Sequence, residues 1–193
     1  IGATKEWADS GPLSSARNWK SWWLGEDAQE NVRYVEFMGK DNVPFHTVGF
    51  PVTMLGSGEK WKLVDQIKGF NWLNYYGGKF STSQKRDIFM DTALEILPAD
   101  YWRWYLTANA PESADSSFTW QHFADTVNKD LADVLGNFVN RTLRFTDSKF
   151  GAAIPDGGLP GPKETKLGAE LERRFGIYSV LLEEIQLRKA AAE

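Results

Sequence analysis

The chain has no cysteine in 193 residues, which removes disulfides and thiolate metal ligands from any account of its stability or chemistry. That composition suits a reducing compartment. No apolar run comes near the roughly 20 residues that a membrane span needs, so membrane insertion is not expected. Excess positive charge is lacking too: 22 Lys and Arg stand against 26 Asp and Glu, a formal net charge of −4. The chain as a whole is therefore no basic footprint for nucleic acid, and an RNA partner would need a local basic surface. An initiator Met is also missing. The opening Ile1-Gly2-Ala3-Thr4-Lys5 is not a signal peptide, and it leads us to expect a fragment or a processed chain. What the sequence has in quantity is aromatic, with 9 Trp and 12 Phe, each ring able to bury about 150–250 Å². With 42% hydrophobic and 25% charged residues, the balance is that of a globular protein of one ordinary domain or two small ones.

Local patterns predict an α/β arrangement followed by helices. Residues 1–30 read as a helical start and then an irregular stretch containing Trp19, Trp22 and Trp23, which we assign to packing. Residues 33–38 alternate polar and apolar β-formers, the pattern of a strand. Gly39-Lys40-Asp41-Asn42 ends it, and Asn42 and Pro44 suit the cap and first turn of a helix running to about Leu55. A strand, a polar turn and a helix make an α/β unit, whose ligands gather where strands end. Residues 64–76 read as further strand, interrupted at Gly69. Asp91 can cap a short helix over 92–97, and residues 100–108 form another with Trp102 and Tyr105 on one face. Phe123, Val127, Leu131, Val134, Leu135, Phe138 and Leu143 keep near-helical spacing through residues 119–145. The Gly- and Pro-rich residues 155–162 read as a linker. Residues 166–192 read as a second long helix, with Leu171, Phe175, Tyr178, Leu182, Ile185 and Leu187 as its core positions. The expected domains are 1–110, α/β, and 111–193, part of a helical bundle.

Several residues are candidates for chemistry. In residues 79–86 the cations Lys79, Lys85 and Arg86 accompany the hydroxyls of Ser81, Thr82 and Ser83 behind Gly77-Gly78. Such a loop can approach and neutralise a polyphosphate; a solvated basic turn has the same composition. His46 and Phe50 lie four apart and share a helix face, where a core histidine would also sit. Asp41 suits either a helix cap or an acceptor of ligand hydroxyls. Asn137 and Arg141 are polar positions four apart, set against the apolar stripe. His122 has no motif around it and reads as structural or exposed. The acidic run over 170–184, interspersed with Arg173 and Arg174, reads as a solvated face.

In order along the chain, these stretches resemble one family. Lys79-Phe80-Ser81-Thr82-Ser83 is similar to the Lys-Met-Ser-Lys-Ser signature of class I aminoacyl-tRNA synthetases, with Phe second and Thr fourth. Phe37-Met38-Gly39-Lys40-Asp41-Asn42-Val43-Pro44-Phe45-His46 resembles the Gly-Lys-Asp segment of the methionyl enzymes. Ile96-Leu97-Pro98-Ala99-Asp100-Tyr101-Trp102 and Ala110-Pro111-Glu112 resemble the segment joining their catalytic and anticodon domains. Asn128-Lys129-Asp130-Leu131, through Asn137-Phe138-Val139-Asn140-Arg141, resembles the first helix of their anticodon bundle. The resemblance covers nearly the whole chain. It implies the second half of a nucleotide-binding, Rossmann-like catalytic domain followed by an incomplete α-helical bundle.

The activity so implied is methionine–tRNA ligation: ATP-dependent formation of methionyl-adenylate and transfer to the initiator and elongator methionine tRNAs, in the cytoplasm. ATP and Mg²⁺ are the implied cofactors, while zinc finds no support in this chain and no metal ligand is assigned. Gly39, Asp41, Lys79, Ser81, Thr82 and Ser83 would bind ATP, with the Asp41 carboxylate accepting the ribose hydroxyls. His46 and Phe50 would line the methionine pocket, and Asn137 and Arg141 would read the anticodon. Two departures bear on these roles. Phe50 stands where some relatives carry Trp, and Thr82 replaces the second signature lysine, so Lys79, Lys85 or Arg86 would have to supply its charge. The His-Ile-Gly-His motif of the first half of the fold does not occur in the chain, nor does the inserted domain. The chain is expected to need that N-terminal half, to be inactive alone, and to expose strand edges and apolar surface. Two other readings remain open: a catalytically incomplete tRNA-binding or regulatory fragment, and a class I synthetase for another amino acid such as leucine, valine or cysteine.

Overall fold

A computed structural model describes residues 1–10, 18–151 and 153–193, which divide into two units, 1–71 and 72–193. Residues 11–17 of the irregular stretch expected near the start lie outside the described residues. The first unit begins with α1 (Gly2–Asp9), a 3₁₀ turn (Trp19–Trp22) and α2 (Gly25–Asn31). Strand β1 (Val35–Gly39) leads to a wide π-helical turn (Phe45–Gly49) that runs on as α3 (Phe50–Gly56), and β2 (Gln66–Phe70) follows. β1 and β2 pair in parallel, from Val35 opposite Gln66 to Gly39 opposite Phe70. A parallel pair needs a crossover connection, and the helix supplies it. Of the tryptophans, Trp23 donates its indole N–H to Thr4 Oγ1 at 3.0 Å and sets its ring edgewise on Tyr34.

Gly69 does not interrupt the second strand as expected. It pairs with Met38 inside β2, and its missing Cβ lets Val43 Cγ2 come within 3.1 Å of where that atom would be. The break falls instead at residues 71–72, so the stretch 64–76 yields two strands, β2 and β3 (Leu73–Tyr75).

The second unit continues with α4 (Met90–Ile96), α5 (Ala99–Ala108), β4 (Ser116–Phe118) and α6 (Trp120–Val127). A π-helical stretch (Asn128–Gly136) then joins α6 to α7 (Asn137–Phe150), and α8 (Pro162–Glu183) and α9 (Leu187–Ala192) complete the chain. β3 pairs with β4 in parallel. The core is aromatic: Ala93, Trp102, Tyr105, Phe118, Phe123 and Val127 bury one another. Trp102 can sit there because its N–H donates to the carbonyls of Ala93 (2.9 Å) and Leu97 (3.3 Å), which removes the cost of burying a polar group. Thr119 caps α6, its hydroxyl accepting the His122 N–H at 3.1 Å. His122 is structural, with Nδ1 2.9 Å from the Tyr105 hydroxyl.

Three sequence expectations change here. Asp91 lies within the first turn of α4 rather than at its cap, which Phe89 occupies; a carboxylate there complements the helix dipole. The apolar stripe over 119–145 is covered only in part: Phe123 and Val127 are buried, Leu131 half-buried, and Val134, Leu135, Phe138 and Leu143 open to solvent. The single long helix over 166–192 is two helices. Ile185 takes φ +55°, its N–H bonding Leu182 O at 3.0 Å while Gln186 N–H bonds Leu181 O at 2.8 Å. That pair of bonds is the Schellman closure, normally built on glycine. The Glu112 carboxylate then caps α9 by accepting the Leu187 and Arg188 N–H groups, both at 3.0 Å. Of the positions expected in that helix's core, Ile185 is buried, whereas Leu171, Phe175, Tyr178 and Leu182 are exposed. The acidic run is solvated: Glu170 bonds Arg173 and Arg174 on the helix surface, and these partners, Arg173 foremost, hold its carboxyl down to about 2.

The stripe supplies its own test. Phe123→Ala removes a packed ring and is expected to cost about 3–5 kcal/mol, whereas Phe138→Ala should stay within about 0.5 kcal/mol of the parent chain. Denaturant midpoints of the two variants measure the difference.

Candidate functional site

In the first unit the candidate site forms where β1 ends. Lys40 N–H donates to Phe70 O at 2.8 Å, one bond beyond the strand pair, and Asn42 N–H then turns back to Gly39 O at 3.0 Å. The Asn42 carbonyl accepts the Phe45 and His46 N–H groups at 3.0 and 3.4 Å, so it starts the helix through its backbone. A Cβ on Gly39 would lie 2.9 Å from Asp41 Oδ1. The glycine is what allows the Asp41 carboxylate to fold over the strand end, on the exposed surface.

The helix that follows brings His46 and Phe50 to one narrow cleft, as their spacing predicts, closed so tightly that its side chains leave no room for a water molecule. Tyr34, Glu36, Pro51, Lys62, Leu63 and Val64 complete its lining. The Tyr34 hydroxyl donates to Glu36 Oε1. His46 Nδ1 lies 3.0 Å from Glu36 Oε2, close in distance though not aligned as an ideal hydrogen bond. Burial, followed by the hydrogen bond and charge of Glu36, pushes the Tyr34 hydroxyl far up, so it stays an O–H donor. Lys62 is buried beneath, with Nζ 2.8 Å from Asp65 Oδ1 and 3.5 Å from Gln29 O. Asp65 Oδ2 accepts the Tyr34 N–H at 2.7 Å. Burial works to raise the Asp65 carboxyl, but the Lys62 bond, the Tyr34 N–H and the charges of Lys62 and Arg33 outweigh it, and its pKa falls. Sequence reading missed Tyr34, Glu36 and Lys62. The available signals were the two-residue spacing that puts 34 and 36 on one strand face and a lysine set among the apolar residues 61–64.

In the second unit β3 runs into a tight turn. Tyr75 N–H bonds Gly78 O at 2.7 Å and Gly78 N–H bonds Tyr75 O at 3.1 Å, with Tyr76 at φ +49° and Gly77 at φ +75°, the type I′ pattern. The signature loop follows. Ser81 and Arg86 exchange both backbone hydrogen bonds at 2.9 Å, and Lys85 N–H bonds Thr82 O at 3.1 Å inside them. Ser81 Oγ accepts the Gln84 N–H at 3.3 Å and lies 3.2 Å from Ser83 Oγ. Thr82 and Ser83 stand exposed at the tip. Arg86 does not join them: its guanidinium folds back to donate to Tyr75 O at 2.6 Å, into space that a Cβ on Gly78 would take. The cations left on the loop surface are Lys79 and Lys85, with Lys79 Nζ 5.8 Å from the Trp72 ring centre, a cation–π distance. Asn137 and Arg141 are exposed one turn apart at the start of α7.

Among the described residues no three His, Cys, Asp or Glu side chains converge on a metal position, and no helix is long and apolar enough to cross a membrane.

A family model described as tRNA synthetases class I (M) matches residues 1–143. The chain belongs to that family. It is 64% identical over 193 residues to a methionine–tRNA ligase of Streptomyces avermitilis, covering 100% of this chain and 33% of that protein. It is 62% identical over 191 residues to one of a Caulobacter species, covering 99% and 33%. The chain thus spans about a third of the length of the curated relatives it matches. Mycobacterium tuberculosis methionyl-tRNA synthetase bound by methionyl-adenylate aligns with a TM-score of 0.74 at 22% identity, over 86% of this chain and 32% of that one. The fold is that of the class I synthetase catalytic domain, small parallel sheets and helices, with a helical region after it.

Two measurements test this geometry. A folded-state pKa below the ordinary carboxylate value of about 3.9 means that Asp65 contributes stability above that value and loses it as pH falls through its lowered one. Asp65→Asn should therefore flatten the acid side of the stability–pH curve, measured by denaturation below about pH 4. Arg86→Ala should speed amide exchange at Ser81 and at position 86, leaving the amides of α5 protected, in a hydrogen-exchange experiment.

Proposed function

We propose that this chain serves methionine–tRNA ligation: methionine is activated by ATP to methionyl-adenylate and transferred to the initiator and elongator methionine tRNAs. The observation that carries the reading is identity above 60% to methionine–tRNA ligases along essentially the whole chain. That weighs against a fragment kept only to bind tRNA. In the first step the methionine carboxylate attacks the α-phosphorus of ATP and pyrophosphate leaves. No covalent bond to the protein is required, so positioning and charge neutralisation do the work.

In this reading Asp41, folded over Gly39, accepts the ribose hydroxyls, and His46 and Phe50 line the methionine pocket. Lys79 and the hydroxyls of Ser81, Thr82 and Ser83 meet the phosphates. Because Arg86 is tied to Tyr75, the charge missing at Thr82 falls to Lys79 and Lys85. Asn137 and Arg141 read the anticodon, in a helical domain that begins after residue 110. The segment carrying His-Ile-Gly-His, not found in these residues, completes the ATP site. Mg²⁺ enters as part of the nucleotide substrate. The cytoplasm is the setting that this chemistry implies.

Lys79→Ala in the full-length enzyme is expected to lower methionine-dependent ATP–pyrophosphate exchange on the order of 10²-fold with thermal stability unchanged. Exchange that survives the substitution removes Lys79 from the reaction. Exchange driven by a different amino acid in the parent enzyme overturns methionine as the substrate.

A further inference from the structure

We propose that Glu36 is a positioning residue that fixes His46 as its Nδ1–H tautomer, so that His46 keeps a lone pair at Nε2 and offers no N–H donor there. The proposal rests on the reading that this cleft takes methionine, and it adds a residue that sets the specificity.

The geometry leaves little freedom. Glu36 Oε2 and His46 Nδ1 are both buried, and neither has an aligned hydrogen-bond partner among the described residues. They lie 3.0 Å apart, on side chains 10% and 42% exposed respectively. Each is thus the group that can relieve the other's burial. The other oxygen of Glu36 is occupied by the Tyr34 hydroxyl, and Tyr34 is itself held through its N–H by Asp65. A carboxylate is an acceptor only, so the ring nitrogen facing it carries the hydrogen. In the neutral ring the second nitrogen is then a bare acceptor. Imidazole in water prefers the opposite form, with hydrogen on Nε2, so the state proposed is one that the protein imposes.

The chemistry of the substrate gives this state a use. A thioether has no donor and is only a weak acceptor, so methionine loses nothing against a lone pair at Nε2. Its sulfoxide carries a strong oxygen acceptor. An Nε2–H would reward that oxygen; a lone pair leaves it unpaired, which is how a site rejects a near-isostere. Glu36 therefore acts through His46 to keep the oxidised amino acid out.

The chain contains two histidines, so imidazole nitrogen NMR reads His46 directly, with His122 as the internal reference. In its neutral ring His46 is expected to show hydrogen on Nδ1. In Glu36→Leu it should revert to Nε2–H, and in Glu36→Gln, which keeps the shape if the leucine variant does not fold, the Nε2–H form should become populated. Hydrogen on Nε2 in the unsubstituted chain overturns the proposal. In the full-length enzyme, Glu36→Gln should narrow the preference for methionine over methionine sulfoxide in pyrophosphate exchange several-fold, with the KM for ATP unchanged. An unaltered preference alongside a loss of methionine affinity in His46→Ala overturns the role of Glu36 and leaves the pocket standing. A His46→Ala enzyme with unaltered methionine affinity removes the pocket reading itself, and the specificity role of Glu36 with it.

Discussion

Five backbone pairs hold β1 against β2, and Lys40 adds one more bond to Phe70 before the chain turns. The geometry of the first unit depends on that register. Side chains in a strand alternate faces, so a slip of one residue would carry Glu36 away from the cleft and put Phe37 in its place. As paired, Phe37 lies on the other face against Phe70, and Glu36 meets a histidine ten residues further on. The same register ends the strand at Gly39, the position that leaves room for the Asp41 carboxylate. Strand pairing, turn and cleft are thus one arrangement.

The second unit ties its loop to a core in a comparable way. Tyr76 N–H bonds Phe118 O, and Gly77 N–H bonds Ser117 Oγ, so the turn that launches the signature loop is fastened to β4. Phe118 in turn packs between Trp102, Tyr105 and Phe123. Arg86 closes the loop from below onto Tyr75. The exposed tip, with Thr82 and Ser83, is carried on a base that is fixed at both ends.

Much of this was legible in the sequence because it obeys short-range rules. The strand expected at 33–38 and found at 35–39, the helix after it, the shared face of His46 and Phe50, and the Trp102–Tyr105 face all follow from periods of two and of three to four residues. What escaped was of three kinds. Some features break the usual chemistry of their position: the chain reverses at Ile185, where a glycine would have announced the helix end, and Gly69 serves close packing rather than a break. Others depend on partners distant in sequence: Arg86 reads as one more loop cation until Tyr75 is seen to hold it in the space that Gly78 leaves open, and no local pattern joins Glu36 to His46. The open half of the 119–145 stripe is a third case, since spacing reports which residues share a face but not whether anything covers it.

The π-helical stretch Asn128–Gly136 bears on what lies beyond it. Its turns close over five residues rather than four, and Gly136 permits this because a Cβ there would press to 2.9 Å from Leu131 O. A widened helix lags behind a regular one in angle, and one residue of lag is about 100°. The helix therefore works as a mechanical phase shifter: the compass direction of Asn137 and Arg141 is set by the winding of the nine residues before them. Aim is decided upstream, by a hydrogen atom where a methyl group would be.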